Sequence, residues 1–568
     1  MKLSSVSCLS SLLAAGMAGC LEDGDDGGQG NVADPLSGID LESLSPKVFD
    51  ILPPEEIWVT ASDGMRMNTV AYRPDTNAAA PVFINFSPYW GDSATTQGDH
   101  FSQYMINEYV PRGYTVVLAS LRGTGHSEGC FEIGSDREVQ DLNEVVDFYS
   151  KQAWSNGKIA SGGKSYDSSP LNGMIAKFPH PALRGVFHVS GITDMYAYNV
   201  RNGVVYGPTQ GTIFNALYAQ QGLQEYGIGR LSNDTAGVDL IGGRPGDAGT
   251  YEDEDAESLA RILGDVACVE QPDIQASGAA TAASGVRTPY WVERDWKRYV
   301  SDSGWDGSIF FVHGLAEQNV RPDHILPWLI SLPPGIQVKG WLHQETFTPY
   351  ASGTGHVYPM RTDWNVTMLA WLDHILLGKA NGFEALYTVE AAGSDGLWRA
   401  SATWPPHDAA VTATGLLPGA DGSLDVVLSP GRPLRLAGAP SLDVTITTSN
   451  SDPVFTALLY DVNLTSGARS WINEAVLRGV LADSLERPVP VPAGEPRRYS
   501  LEFYPMDHVV EVGHGLAIVL GGDPQAAMAL PSQLADVEYD AGGGVLSFLS
   551  ASPEPMAVQP TPMRCFAC

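Results

Sequence analysis

From about residue 55 to residue 190 the chain alternates short continuous apolar runs with amphipathic ones. The runs at 57–60, 67–72, 82–86, 114–119, 158–162 and 185–189 read as strands. Between the last of them, 139–151 reads as a helix. There Leu142, Val145, Val146 and Tyr149 recur at i, i+3, i+4 and i+7 and give one apolar face. Strand and helix in alternation predict a mostly parallel sheet covered on both faces.

The alternation lapses between about 194 and 297. Helical stretches at 213–225 and 256–263 are set there among acidic and Gly-rich loops. It resumes with strands at 308–313 and 337–342 and a helix at 367–377. A helical insertion between two halves of a parallel sheet is the arrangement of a cap over an active site; a separate small domain is the alternative. Beyond residue 378 the pattern turns to period two, with Leu442, Val444 and Ile446, then Tyr499, Leu501 and Phe503, then Leu516, Ile518 and Leu520. Turn residues separate these runs, as in an all-β sandwich of jelly-roll type. The expected division is 1–20 signal, 21–47 flexible acidic Gly-rich linker, 48–193 first part of the α/β domain, 194–297 cap, 298–384 second part, and 385–568 sandwich.

At 568 residues the chain exceeds one simple core, and 43% hydrophobic against 17% charged residues is a folded composition. A formal charge of −33 argues against a nucleic-acid partner, whose phosphates it would repel. Lys2 precedes an apolar stretch at 12–17, too short to span a membrane, which ends in Met17-Ala18-Gly19-Cys20. This resembles a bacterial lipobox with Cys20 as the lipid acceptor, and implies an exported protein anchored in a periplasmic or surface membrane. The alternative is a plain cleaved secretory peptide. Export permits disulfides among Cys130, Cys268, Cys565 and Cys568, the last two forming either a local clasp or a redox-type pair. No Cys/His grouping has metal spacing, and no metal or cofactor is expected.

The chemistry concentrates at Ser165. In KIASGGKSYDSSPLNGMIAKFPHP a short strand ends at Gly162-Gly163, and a helix follows from 166 to 177, stopped before Pro179. A serine on a tight strand-to-helix turn projects its hydroxyl over the helix N-terminus, where backbone N–H groups stabilise an oxyanion. This is the nucleophile elbow of an α/β-hydrolase fold. Gly125-His126-Ser127-Glu128-Gly129 matches G-x-S-x-G letter for letter, but no helix follows it, so Ser127 reads as a polar turn residue. An activated serine needs a histidine base and a carboxylate to orient it, in the order Ser, acid, His on loops after late strands. The strand at 308–313 leads to Glu317, and that at 337–342 leads to His356. Competitors are Asp323, expected inside a helix running to residue 330, and His343 and His374, at a strand end and within a helix.

From residue 55 onward the chain resembles the Xaa-Pro dipeptidyl-peptidase and cocaine-esterase-like serine hydrolases. The resemblance is carried, in order, by SDGMRM at 62–67, NFSPYWG at 85–91, GYTVVLASLRGTGHSEG at 113–129 and QAWSNGKIASGGKSYD at 152–167. It continues with VHGLAEQNVRPDH at 312–324, GTGHVYPMRTDW at 353–364, WLDHILLGKANG at 371–382, SDGLWRASATWPP at 394–406 and VLRGVLADS at 476–484. The resemblance implies a triad of Ser165, Glu317 and His356, with the Tyr89 hydroxyl and the Tyr166 backbone N–H as oxyanion hole. Two departures stand out: Glu317 where the family usually has Asp, and Ser168 where the elbow usually has Gly.

GKSYD and DMYAYNVRNG at 194–203 resemble the peptidase branch, which implies a peptide substrate with a free amino terminus and release of Xaa-Pro dipeptides. Asp194, Tyr196 and Tyr198 are candidates to receive that terminus, or else ordinary residues at a domain junction. The alternative is a hydrolase of esters or simple amides on the same triad. A different class is an inert surface lipoprotein whose sandwich binds carbohydrate; the intact triad argues against it.

Overall fold

The computed structural model describes residues 35–88, 100–124, 127–129, 132–205, 284–317, 319–344, 360–406, 410–415, 417–418, 424–426, 431–524, 531–556, 560 and 562–563. Cys20, Tyr89, Cys130, Cys268, His356, Cys565, Cys568 and the expected helices at 213–225 and 256–263 lie outside the described residues.

The strands are β1 (Glu55–Thr60), β2 (Arg66–Tyr72), β3 (Ala80–Ser87), β4 (Thr115–Ser120), β5 (Ser155–Lys164) and β6 (Leu183–Val189), then β7 (Ser308–Gly314), β8 (Gln337–His343), β9 (Val389–Ala392) and β10 (Trp398–Ser401). They form one ten-stranded sheet in the order β1-β2-β4-β3-β5-β6-β7-β8-β9-β10. Pairing is parallel from β4 through β9, and antiparallel for β1–β2, β2–β4 and β9–β10. β9 and β10 lie beyond residue 384, the expected end of the α/β part, yet extend its sheet.

The strands read as unbroken apolar runs because both faces are covered. Val82, Ile84 and Phe86 of β3 enter one core and Phe83 the other; Ile309 and Phe311 of β7 divide from Phe310 and Val312 in the same way. Helix α1 (His100–Tyr109) packs on the second face. Helix α2 (Asp136–Ser150), with Leu142, Val145, Val146 and Tyr149 buried as the periodicity predicts, packs on the first, together with α3 (Ser169–Lys177). After the short α4 (Met195–Asn199), the late helix α5 (Ile325–Ser331) joins the first face and α6 (Trp364–Leu377) the second. Each fully buried Val, Leu, Ile or Phe contributes about 1.5–3 kcal/mol.

The C-terminal part is two antiparallel sheets facing each other. One contains Leu434–Gly438, Ser441–Thr448, Arg497–Glu502, Met506–Val510 and Val537–Ala551; the other contains Val454–Asn463, Arg469–Arg478 and His514–Leu520. Leu442, Val444 and Ile446 point inward against Phe455, Leu459 and Ile518, as the period-two pattern requires. The sandwich is fastened to the hydrolase sheet through Asp507. Its carboxylate holds Arg435 at 2.6 Å and Trp404 Nε1 at 3.1 Å, and its N–H donates to Gln344 just past β8 at 3.0 Å.

The expected flexible linker ends sooner than residue 47. Ile39 and Leu44 pack on the second core, and buried Ser45 donates its N–H and hydroxyl to Asp373, each at 2.7 Å. Asp373 has no exposure and needs donors; Tyr114 and Lys379 supply the others. The docking of this segment satisfies a carboxylate that composition alone does not reveal.

Candidate active site

β5 delivers the chain to Ser165, which opens a 3₁₀ turn over Ser165–Ser168 and is followed directly by α3. Ser165 has φ +56°, a left-handed conformation that a non-Gly residue holds at a cost of about 1–3 kcal/mol. Two things hold it there. The hydroxyls of Ser168 and Ser169 both donate to the Ser165 carbonyl, at 3.0 and 2.8 Å. The preceding glycines also leave no room to relax: a Cβ on Gly162 would lie 2.2 Å from the Phe187 carbonyl oxygen, and one on Gly163 would lie 2.5 Å from Asp167 Cβ. Ser168, in the place of the usual elbow glycine, is accommodated because its hydroxyl turns back onto the elbow. Ser165 itself keeps partial exposure.

Ser127 is fully buried, and its hydroxyl is used on both sides. It accepts from Asn68 N at 2.8 Å and donates to the Ser120 carbonyl at 2.9 Å, fastening the turn to β2 and β4. No group is left for chemistry.

β7 leads to Glu317, which is 1% exposed. Its Oε2 accepts the Ser190 hydroxyl, and its Oε1 accepts the Val320 N–H at 3.0 Å. Ser190, just past β6, is also left-handed at φ +51° and donates its N–H to the Val312 carbonyl at 3.0 Å. The strand ends are in register: Lys164 pairs with Val189, Val189 with Val312, and Gly314 with His343. Ser165, Ser190, Glu317 and Gln344, the start of the segment toward His356, therefore all leave the same carboxyl edge of the sheet. This is where open α/β sheets carry their sites.

The competitors are engaged elsewhere. Asp323 sits in a 3₁₀ turn ahead of α5 rather than in the helix, 3.6 Å from Arg321. Burial raises its pKa, but Arg321 and Arg201 outweigh it, and the carboxyl stays below its usual range. His343 lies beside Trp398, and burial lowers it to about 4. His374 stacks on Phe383 and meets the Lys379 carbonyl through Nδ1 at 3.2 Å.

Two further carboxyls flank the elbow, and neither stood out in the sequence. Desolvation pushes Asp167 up to about 7, against the pull of Ser87, Lys164 and Asn85; the Ser87 hydroxyl donates to it at 2.7 Å. Glu138 has no exposure, is likewise raised to about 7 by burial, and accepts the Tyr166 phenol at 2.7 Å. The available signal for Glu138 was S-x-x-E at Ser135–Glu138, a capping box. Lys164 carries the opposite charge: burial lowers it, while Asp167 and Glu317 hold it up.

The candidates for an amino-terminus pocket are occupied by structural partners. Asp194 is 1% exposed, caps α4 through the N–H groups of Tyr196 and Ala197, and pairs with Arg287 at 2.9 Å and Lys297 at 2.7 Å. Burial opposes its ionisation, yet Lys297 and Arg287 bring it down to about 2. Tyr196 donates to the Gly285 carbonyl at 2.5 Å beneath the Arg287 guanidinium, and Tyr198 to Asn319 at 2.7 Å. A shallow cleft opens beside Glu317. Leu315, Arg321 and Gln344 line it from the hydrolase part, and Ile472, Tyr504 and Met506 from the sandwich.

The family profile described as X-Pro dipeptidyl-peptidase (S15 family) matches residues 63–348, and that of the X-Pro dipeptidyl-peptidase C-terminal non-catalytic domain matches 431–535. A Bacillus anthracis protein provisionally named Xaa-Pro dipeptidyl-peptidase is 24% identical over 560 residues, covering 83% of each chain. The Xaa-Pro dipeptidyl-peptidase of Lacticaseibacillus rhamnosus is 24% identical over 351 residues, 58% of this chain and 39% of that protein. Among solved structures, a CocE/NonD family hydrolase from Staphylococcus aureus aligns with TM-score 0.60 at 16% identity, covering 87% of this chain and 91% of that one. An α-amino acid ester hydrolase aligns with TM-score 0.56 at 15% identity, covering 94% and 99%. These likenesses show the shared fold.

Proposed function

The chain belongs to the X-Pro dipeptidyl-peptidase (S15) family and is a serine hydrolase, and we propose that it releases Xaa-Pro dipeptides from free amino termini through an acyl-enzyme on Ser165. The observation that carries this reading is the strained Ser165 between β5 and α3, with buried Glu317 leaving the same sheet edge. In the proposed reaction His356 takes the Ser165 proton as Oγ attacks the carbonyl carbon. Glu317 orients the imidazole and stabilises its cation. The Tyr166 backbone N–H and the Tyr89 hydroxyl stabilise the tetrahedral oxyanion, each donor contributing about 2.7–4 kcal/mol. His356 returns the proton to the leaving amine. Water, deprotonated by the same imidazole, then releases the dipeptide and restores the serine.

The second reading, an ester or amide hydrolase acting on acyl or amino-acid substrates, is favoured by one observation. Asp194, the carboxylate at the cap entrance suited to an ammonium group, is neutralised by Arg287 and Lys297. Rates on an Ala-Pro anilide, on its N-acetylated form and on an aryl ester separate the two. A dipeptidyl-peptidase cleaves the free anilide and rejects the acetylated one; an esterase turns over the aryl ester and releases no dipeptide. An inert binding protein would take no fluorophosphonate label.

The lipobox supports anchorage by a lipid on Cys20, with the enzyme held outside the cytoplasm. Cys20→Ser is then expected to abolish radiolabelled fatty-acid incorporation; unchanged incorporation rules the anchor out.

A further inference from the structure

The N–H assigned to the oxyanion hole belongs to Tyr166, so its placement depends on what holds that residue. The Tyr166 side chain is 7% exposed, and its phenol donates to Glu138 Oε1 at 2.7 Å. Glu138 is the third residue of α2, whose first turn is capped by Ser135: the Glu138 N–H donates to the Ser135 hydroxyl at 3.1 Å. Its Oε2 accepts the Gly134 N–H at 3.2 Å. Gly134 has φ +72°, and Trp296 stands 2.9 Å from where its Cβ would be. Arg294 grips the same loop, through Nε to the Ile133 carbonyl at 3.1 Å and Nη2 to the Glu132 carbonyl at 3.4 Å.

A carboxyl with no exposure is costly to bury, and both oxygens of this one are committed, one to the elbow and one to a braced loop. We infer that Glu138 is a positioning residue for the oxyanion hole, holding the Tyr166 phenol and thereby the peptide N–H that follows Ser165. The inference rests on Ser165 being the nucleophile. The physical reason lies in the strain at Ser165: a left-handed residue flips readily unless its neighbours over-determine it, and an oxyanion donor is useful only at about 2.7–3.1 Å from the developing charge.

The groups facing Glu138 are the Tyr166 phenol, the Gly134 N–H, Glu132 and Arg294. Burial, with Glu132 acting in the same direction, outweighs the phenol, the N–H and Arg294 and brings its titration to about 7. The phenol donates to either form of the carboxyl, and more strongly to the ionised one. The clamp therefore tightens as pH rises through neutrality.

The test uses the full chain with Tyr166→Phe, Glu138→Gln and the double variant, assayed on the best substrate of the panel above. Tyr166→Phe keeps the backbone N–H and is expected to lower kcat by about tenfold or more with KM within about twofold. Affinity for a boronic acid inhibitor, which presents an oxyanion mimic, should fall in parallel with kcat. Glu138→Gln keeps a neutral acceptor, so its kcat loss should be smaller and its kcat–pH profile should lose the component near 7. The double variant should be no worse than Tyr166→Phe alone. Fluorophosphonate labelling of Ser165 in the parent protein reports on the nucleophile separately: its absence overturns the reading beneath this one. Labelling at Ser165 together with unchanged kcat in folded Tyr166→Phe, or an unaltered pH profile in Glu138→Gln, overturns the inference itself.

Discussion

The Ser190 hydroxyl donates to Glu317 Oε2, joining the end of β6 to the acid loop after β7 across 127 residues of sequence. Ser190 can reach it only because it is left-handed at φ +51° and its N–H is tied to the Val312 carbonyl. A buried carboxylate that has lost one donor is both less stable and less well aimed. Ser190→Ala is therefore expected to cost about 1–3 kcal/mol of stability and to lower kcat with little change in KM. Urea unfolding together with steady-state kinetics measures both; unchanged kcat would detach Ser190 from the reaction.

Ser165→Ala should abolish turnover and fluorophosphonate labelling, a loss of several orders of magnitude. Ser127→Ala should label normally yet unfold at lower urea, because Asn68 N and the Ser120 carbonyl each lose a partner, worth about 1–3 kcal/mol in total. Covalent labelling of folded Ser165→Ala would refute the assignment.

Glu317→Gln should cut kcat on the order of 10³–10⁴-fold, as removal of a triad charge does elsewhere, with the fold retained. Asp323→Asn should leave kcat within about tenfold, since Asp323 is engaged with Arg321. Circular dichroism checks folding and the ratio of the two kcat values decides; a reversed ranking moves the acid to Asp323.

Asp194 supplies a pH signature. Its folded pKa of about 2 lies below the usual 3.8: burial works against ionisation, but Lys297 and Arg287 prevail. A depressed acid contributes stability that is full above pH 3.8 and is lost as pH falls through 2. The contribution is on the order of 2 kcal/mol. Asp194→Asn should lower stability at pH 7 by about that amount and flatten the decline between pH 4 and 2, read from urea unfolding at each pH. An unaltered acid limb would show that the pair does not stabilise the fold.

Much of the fold was legible because its signals are local. Continuous apolar runs marked β3 to β8, and a 3.6-residue period marked the buried face of α2. Gly162-Gly163 marked the approach to the elbow, although both stay within β5: they make room for Phe187 and Asp167, and the backbone reverses at Ser165. The letter match at Ser127 misled only until its surroundings were weighed: a serine followed by no helix has nothing to set its hydroxyl over.

What only the tertiary structure decided are pairings between distant residues, which depend on which strand ends become neighbours in the sheet. Asp194 reads as a candidate for an amino terminus or as an ordinary residue at a junction, and the fold brings Arg287 and Lys297 onto it from about a hundred residues away. Residues 389–401 read as the start of the sandwich, yet they pair beside β8 because that edge of the sheet was still open. Ser45 lies in an apparent linker and is buried because Asp373 requires its donors. Glu138 lies just before the helix expected at 139–151, and packing of α2 against the elbow turns it inward onto Tyr166. Sequence spacing specifies which way a backbone turns. Which buried charge finds which partner is specified only when the sheet has closed.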